Sequence, residues 1–289
     1  MRSMIGEPRV VEAGRGVSWW GGGLSLFGAS VITWIGIMVI YFVISALISL
    51  VPFVGSVGQW LLTPVFMGGL MVGCASLEKG EPLRVKHLFE GFQGPHFVPL
   101  MIIGALNMAI AIAIAAIGAA GALGSLKLAE SGLADPMDAL TGSLRAMTGT
   151  GLLVFLIVVV VLTIFTMLNW FAPALVVLRG ATAAEAMKLS FLSCLRNWAP
   201  FLVYGLIGMV IAIVAAVIVG ALAVAAGIGA FMGASHSGFG ALLGFMALFF
   251  VVALALALVA GPVVFGSTYS GYKDTLAFDD TALANPAYR

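Results

Sequence analysis

Two asparagines are the residues whose type and placement bear most on chemistry. Asn107 and Asn169 each interrupt a long apolar run. Asn107 lies about nine residues inside its run and Asn169 ten residues before Arg179. At roughly 1.5 Å per helical residue, both sit about 15 Å deep in a hydrocarbon layer about 30 Å thick. They fall on consecutive apolar segments, so the two amides can meet. One reading is a contact point for a polar group of a substrate, formed by Asn107, Asn169 and Thr166, with Thr163 near enough to join. The other is an interhelical hydrogen bond, worth roughly 1 kcal/mol. Pro173 adds a polar atom to either reading, because it leaves the carbonyl of Asn169 without its normal helical donor.

Little else in the chain offers chemistry. The apolar runs contain no Asp, Glu, Lys, Arg or His. Intramembrane ionisable groups are the usual mark of ion and proton pathways, which argues against a pump or a proton-coupled carrier. An intramembrane protease needs paired carboxylates, a metal, or a nucleophile with its base. No phosphate-binding loop, HExxH or GxSxG motif occurs. His87 and His96 could approach Cys74, Cys194 or Glu90 on the cytoplasmic face, but no CxxC or HxxxH spacing supports a metal site. His236 belongs to a Ser-His-Ser turn. The two cysteines are expected to be reduced packing residues. No catalytic residue, metal or cofactor is expected, and the formal net charge of +1 suits no nucleic-acid partner.

The elements that position the asparagines follow from composition. Of the 289 residues, 62% are hydrophobic and 9% charged, against about 25% charged in a soluble domain. Runs such as LLVFLIVVVVLTIFTML (152–168) are continuous rather than alternating, which selects helices over a barrel. The predicted fold is an all-α integral membrane protein with six spans, at about 31–51, 59–77, 98–123, 150–178, 198–230 and 239–271. Lys127 and Arg145 stand on one side of these spans, and the other 11 of the 13 Lys and Arg stand on the opposite side. The positive-inside rule then puts both termini in the cytoplasm. A single polytopic domain is expected, with an outer loop at 124–148 and a tail from 273. Asp135-Pro136 opens a short helix in that loop, carrying Met137, Leu140, Leu144 and Met147.

Three units are read in this arrangement, at about 10–77, 83–178 and 182–271. Each is an amphipathic cytoplasmic helix followed by two spans, the second span carrying Pro64, Pro173 or Pro262. The apolar stripes are Val17, Trp20, Leu24 and Phe27; then Val85, Leu88, Phe89 and Phe92; then Ala184, Met187, Phe191, Cys194 and Trp198. Such helices anchor span ends at the interface or form a docking surface. Phe89, Phe92, Met187, Phe191 and Trp198 are the candidate interface residues. Gly69-xxx-Gly73, Gly229-xxx-Gly233 and Gly240-xxx-Gly244 have the spacing that lets helices approach closely.

The order of these features resembles the BPSS1780-like family of bacterial membrane proteins. The resemblance rests on VEAGRGVSWWGGGLSLF (11–27), VPFVG (51–55), TPVFMGGLMVGCASLEKGEPL (63–83), HLFEGF (87–92), and NWFAP (169–173) with the following AMKLSFLSCLRNW. It implies a six-span protein of the bacterial cytoplasmic membrane and carries over no catalytic residue. The expected role is a non-enzymatic accessory or scaffold protein that binds lipid, itself, or another membrane complex. The alternative is a transporter or lipid-handling protein for a neutral or amphiphilic solute, working through Asn107 and Asn169.

Overall fold

A computed structural model describes residues 7–130, 150–233 and 238–276. Among them the chain is helical throughout, with no strand. Helix α1 spans Arg15–Ala29, α2 Val31–Ser49 and α3 Val54–Glu78. Two 3-10 helices, Val85–Phe92 and Gly94–His96, lead into α4, Phe97–Glu130. Then come α5 (Thr150–Asn169), α6 (Ala172–Arg179), α7 (Ala183–Arg196), α8 (Trp198–Gly233) and α9 (Gly238–Leu276). Six segments are long and apolar enough to cross a membrane: Val31–Ser49, Gly55–Glu78, Gly94–Ala119, Leu152–Arg179, Trp198–Leu222 and Met246–Leu276. They coincide with the six expected spans.

Two boundaries differ from expectation. Helix α4 continues through 124–130, where a loop was expected, and α9 runs past 271 to Leu276. The second shift matters, because it turns Lys273 and Asp274 from tail residues into helix residues with a fixed face. The expected outer helix around Met137–Met147, His236 and the tail beyond 276 lie outside the described residues.

The packed core gathers at one end of the bundle. Trp19, Trp34, Met38, Leu70, Leu88, Leu100, Phe171, Leu175 and Leu276 are fully or almost fully buried there. Farther along, Leu153, Phe155 and Val160 of α5, Val210 and Val217 of α8, and Phe250 and Val251 of α9 are more than half exposed. Apolar surface this extensive suits a hydrocarbon solvent rather than water.

The glycines of α1 appear as breakers in sequence, at up to about 1 kcal/mol each relative to alanine. Here they are where backbones meet. A Cβ at Gly23 would overlap the carbonyl oxygen of Val263 on α9, and one at Gly16 would overlap that of Pro200 on α8. The packed face of α1 is therefore Gly16, Trp19 and Gly23. The expected stripe points elsewhere: Val17 and Leu24 are more than half exposed, with Trp20 and Phe27 partly covered. Gly69 serves packing within the chain, since its Cβ position is taken by the carbonyls of His87 and Leu88.

Proline 173 divides the fourth span. Helix α5 ends at Asn169 and α6 begins at Ala172. The break is repaired from α7. The Ser190 hydroxyl donates to the Met167 carbonyl (2.6 Å) and accepts from the Phe171 amide (2.9 Å). It thus inserts into the 167–171 step that a continuous helix would close, and such insertion is a recognised cause of helix kinks. Gly180, at φ +65°, then ends α6 in the left-handed conformation that glycine tolerates. Thr182 and Glu185 cap the start of α7 reciprocally.

Candidate functional site

Asn107 and Asn169 are both half-buried. Asn169 Nδ2 donates to the Phe165 carbonyl at 2.8 Å, within its own helix. The side-chain oxygens of both asparagines are buried without a hydrogen-bond partner. The amides do not bond to each other, and α4 makes only slight contact with α5. Thr166 and Thr163 donate back to Leu162 and Val159, each at 2.8 Å. The structure thus leaves both asparagine oxygens unfilled and does not bring the threonine hydroxyls to them.

The candidate interface residues divide. Phe89 and Phe92 pack with Phe66, at ring-centroid distances of 6.4 and 5.1 Å, and Phe92 stacks on Phe97. These two rings face the protein's own core. On α7 the buried face is Ala183, Ala186, Met187, Ser190, Ser193 and Cys194. Met187 therefore packs inward and Phe191 is partly covered, while Trp198 is 67% exposed. Burial pushes the Cys194 thiol up to about 12. His87 is also buried; its Nδ1 accepts from the Arg84 amide at 3.3 Å, and burial lowers its pKa. No three His, Cys, Asp or Glu side chains converge among the described residues.

One cluster of polar side chains was not anticipated. A half-open cavity of about 390 Å³ lies where α1, the end of α3 and the end of α9 meet. Positions 15, 18, 22, 25, 26 and 29 of α1 fall on one helical face and form one wall. Tyr269, Ser270, Lys273 and Asp274 form the facing wall, and Leu77 and Glu78 close the third side. Arg15 grips Asp274 with both ends of its fork, Nε to Oδ2 at 2.8 Å and Nη2 to Oδ1 at 2.5 Å. Trp19 Nε1 adds a third bond to Oδ2 at 2.7 Å. The Asp274 carboxylate in turn raises the Arg15 pKa above its ordinary value, through that hydrogen bond and through charge. Glu78 accepts from the Tyr269 hydroxyl at 2.6 Å and pairs with Lys273. One signal was available in the sequence: Lys273 and Asp274 continue the last span's helical phase beyond Tyr269 and Ser270.

Beside the cavity, the segment before α1 reaches the end of α9. The Arg9 amide donates to the Thr275 carbonyl at 2.9 Å. Asn197, 1% exposed, receives the Val11 amide at 2.8 Å and donates to the Arg9 carbonyl at 2.8 Å. The corner between α7 and α8 is thereby tied to the N-terminal segment and, through it, to the end of α9.

Comparison with known proteins adds one relative. The chain is similar to a probable inner membrane protein of Burkholderia thailandensis. The two are 28% identical over 212 residues, covering 70% of this chain and 75% of that protein. No family model and no solved structure matches the chain.

Proposed function

We propose that this chain is a non-enzymatic accessory protein of a bacterial inner membrane that binds lipid at its charged end. Both termini lie in the cytoplasm in this reading. The similarity to a probable inner membrane protein supports the location, and the Lys and Arg distribution supports the orientation. The three helix-pair units are part of the same reading, with α1, the Val85–Phe92 segment and α7 as the interfacial member of each. The observation that carries the function is the cavity of about 390 Å³, which sets charged groups beside Leu26, Ala29 and Leu77. Such a lining matches an amphiphile that is polar at one end and apolar at the other.

The test is extraction of the native membrane into lipid nanodiscs without overexpression, followed by mass spectrometry of what accompanies the chain. Enrichment of a lipid class, or a companion protein at fixed stoichiometry, supports the proposal. A solitary chain with bulk lipid composition contradicts it. A second reading, transport of a neutral or amphiphilic solute, draws on the unpartnered oxygens of Asn107 and Asn169. It predicts that the Asn107→Ala/Asn169→Ala double variant folds but loses uptake. Unchanged uptake in that variant removes the asparagines from any transport path.

A further inference from the structure

The cavity beneath α1 carries equal numbers of opposite charges, yet its remaining hydrogen-bonding capacity is not balanced. Both carboxylates are engaged. Asp274 accepts three bonds from Arg15 and Trp19, and Glu78 accepts Tyr269 and Lys273. The cations are not exhausted. A guanidinium has five N–H donors and an ammonium three; Arg15 uses two on Asp274 and Lys273 one on Glu78. Their side chains are 48% and 42% exposed. The hydroxyls of Ser18 and Ser25 have no hydrogen-bond partner among the described residues, and both line the cavity. The spare groups are thus donors on two facing helices that line one cavity.

We infer that this cavity recognises a phosphate, and that the phosphate is the diester of a membrane phospholipid headgroup. The inference rests on the lipid-binding reading above and gives it a chemistry. Arg15, Lys273, Ser18 and Ser25 supply the donors that phosphate oxygens require, in charge-assisted hydrogen bonds. The two paired carboxylates set the selectivity. With two cations against two anions, the site has no surplus positive charge to offset a dianionic monoester, and so suits the singly charged diester better. Leu26, Ala29 and Leu77 line the same cavity and would contact the glycerol and the first methylenes of the chains.

The full-length protein in maltoside detergent tests this with three probes: dioctanoyl phosphatidylglycerol, dioctanoylglycerol and inorganic phosphate. Binding is followed by native mass spectrometry and by the change in total tryptophan fluorescence, to which Trp19 in the cavity wall contributes. The expected result is saturable one-to-one binding of the phospholipid, about tenfold or more tighter than dioctanoylglycerol, as for loss of a hydrogen bond to a charged group. The Ser18→Ala/Ser25→Ala variant should weaken phospholipid binding about tenfold while its unfolding midpoint stays unchanged. Equal affinity for phospholipid and dioctanoylglycerol overturns phosphate recognition and leaves the lipid-binding reading intact. Inorganic phosphate competing at comparable concentration assigns the site to a soluble phosphate and overturns the lipid source. Failure of both lipids to bind overturns both.

Discussion

Ser190 and Ser193 lie three residues apart on the buried face of α7, each 0% exposed, and the structure assigns them opposite consequences. Ser190→Ala removes the bridge across the break between α5 and α6. The Phe171 amide is left buried without an acceptor, at a cost of about 1–3 kcal/mol. The Met167 carbonyl keeps only a weak contact from the Cys194 thiol at 3.7 Å. A partly satisfied carbonyl adds about 1 kcal/mol, so the expected loss is about 3 kcal/mol in total. Ser193 Oγ, by contrast, is buried with no partner. Ser193→Ala removes an unpaired polar atom and should be neutral or stabilising by about 1 kcal/mol. Both substitutions replace serine by alanine on one helix, so the propensity gain of a few tenths of a kcal/mol is common to them and cancels in the difference. Reversible SDS unfolding in mixed micelles, followed by tryptophan fluorescence, measures both. A gap of less than about 0.5 kcal/mol between them would refute the account of how the Pro173 break is held.

Three further outcomes follow from the same geometry. Gly23→Leu should destabilise by about 3 kcal/mol or more, because its side chain must displace the α9 backbone at Val263 and Ser267; Gly21→Leu, where a Cβ meets nothing, is the matched control in the same unfolding assay. Cys194, with its thiol pushed up to about 12 by burial, should resist maleimide at pH 7.5 in the folded protein and react within minutes once unfolded. His87 is held neutral by burial, with Lys86 and Arg84 acting in the same sense and Glu90 and Glu81 opposing. Its folded pKa lies below the unfolded value of about 6.5, so the stability it contributes is present above that pH and is lost as pH falls through the folded pKa. The thermal midpoint should drop as pH falls below about 6.5, and this drop should be smaller in His87→Gln.

The parts legible in the sequence are those that hydropathy governs. Continuous apolar runs mark six candidate spans, because a chain crosses a hydrocarbon layer only as helices or as a closed barrel, and barrel strands alternate. Hydropathy does not distinguish a helix face that meets lipid from one that meets protein, since both are apolar. That is why the stripe Val17–Trp20–Leu24–Phe27 stood out while the packed face of α1, made largely of glycine, did not. It is also why Phe89 and Phe92 suggested an outward surface, although their rings close a core with Phe66. The cavity escaped for a different reason. Its charges come from residues 15, 78, 273 and 274, and ending the last span at 271 left two of them without a face. The asparagines were legible as polar atoms at depth, but whether they meet depends on helix packing that no local pattern records.

A crystal structure of the full chain grown in a lipidic mesophase doped with phospholipid tests the central claim most directly. Headgroup density is expected between α1 and α9, with a phosphate within hydrogen-bonding distance of Arg15 and Lys273 and acyl density leaving past Leu26 and Ala29. A cavity holding only water, or closed by its own side chains with no lipid in reach of Arg15, would contradict it.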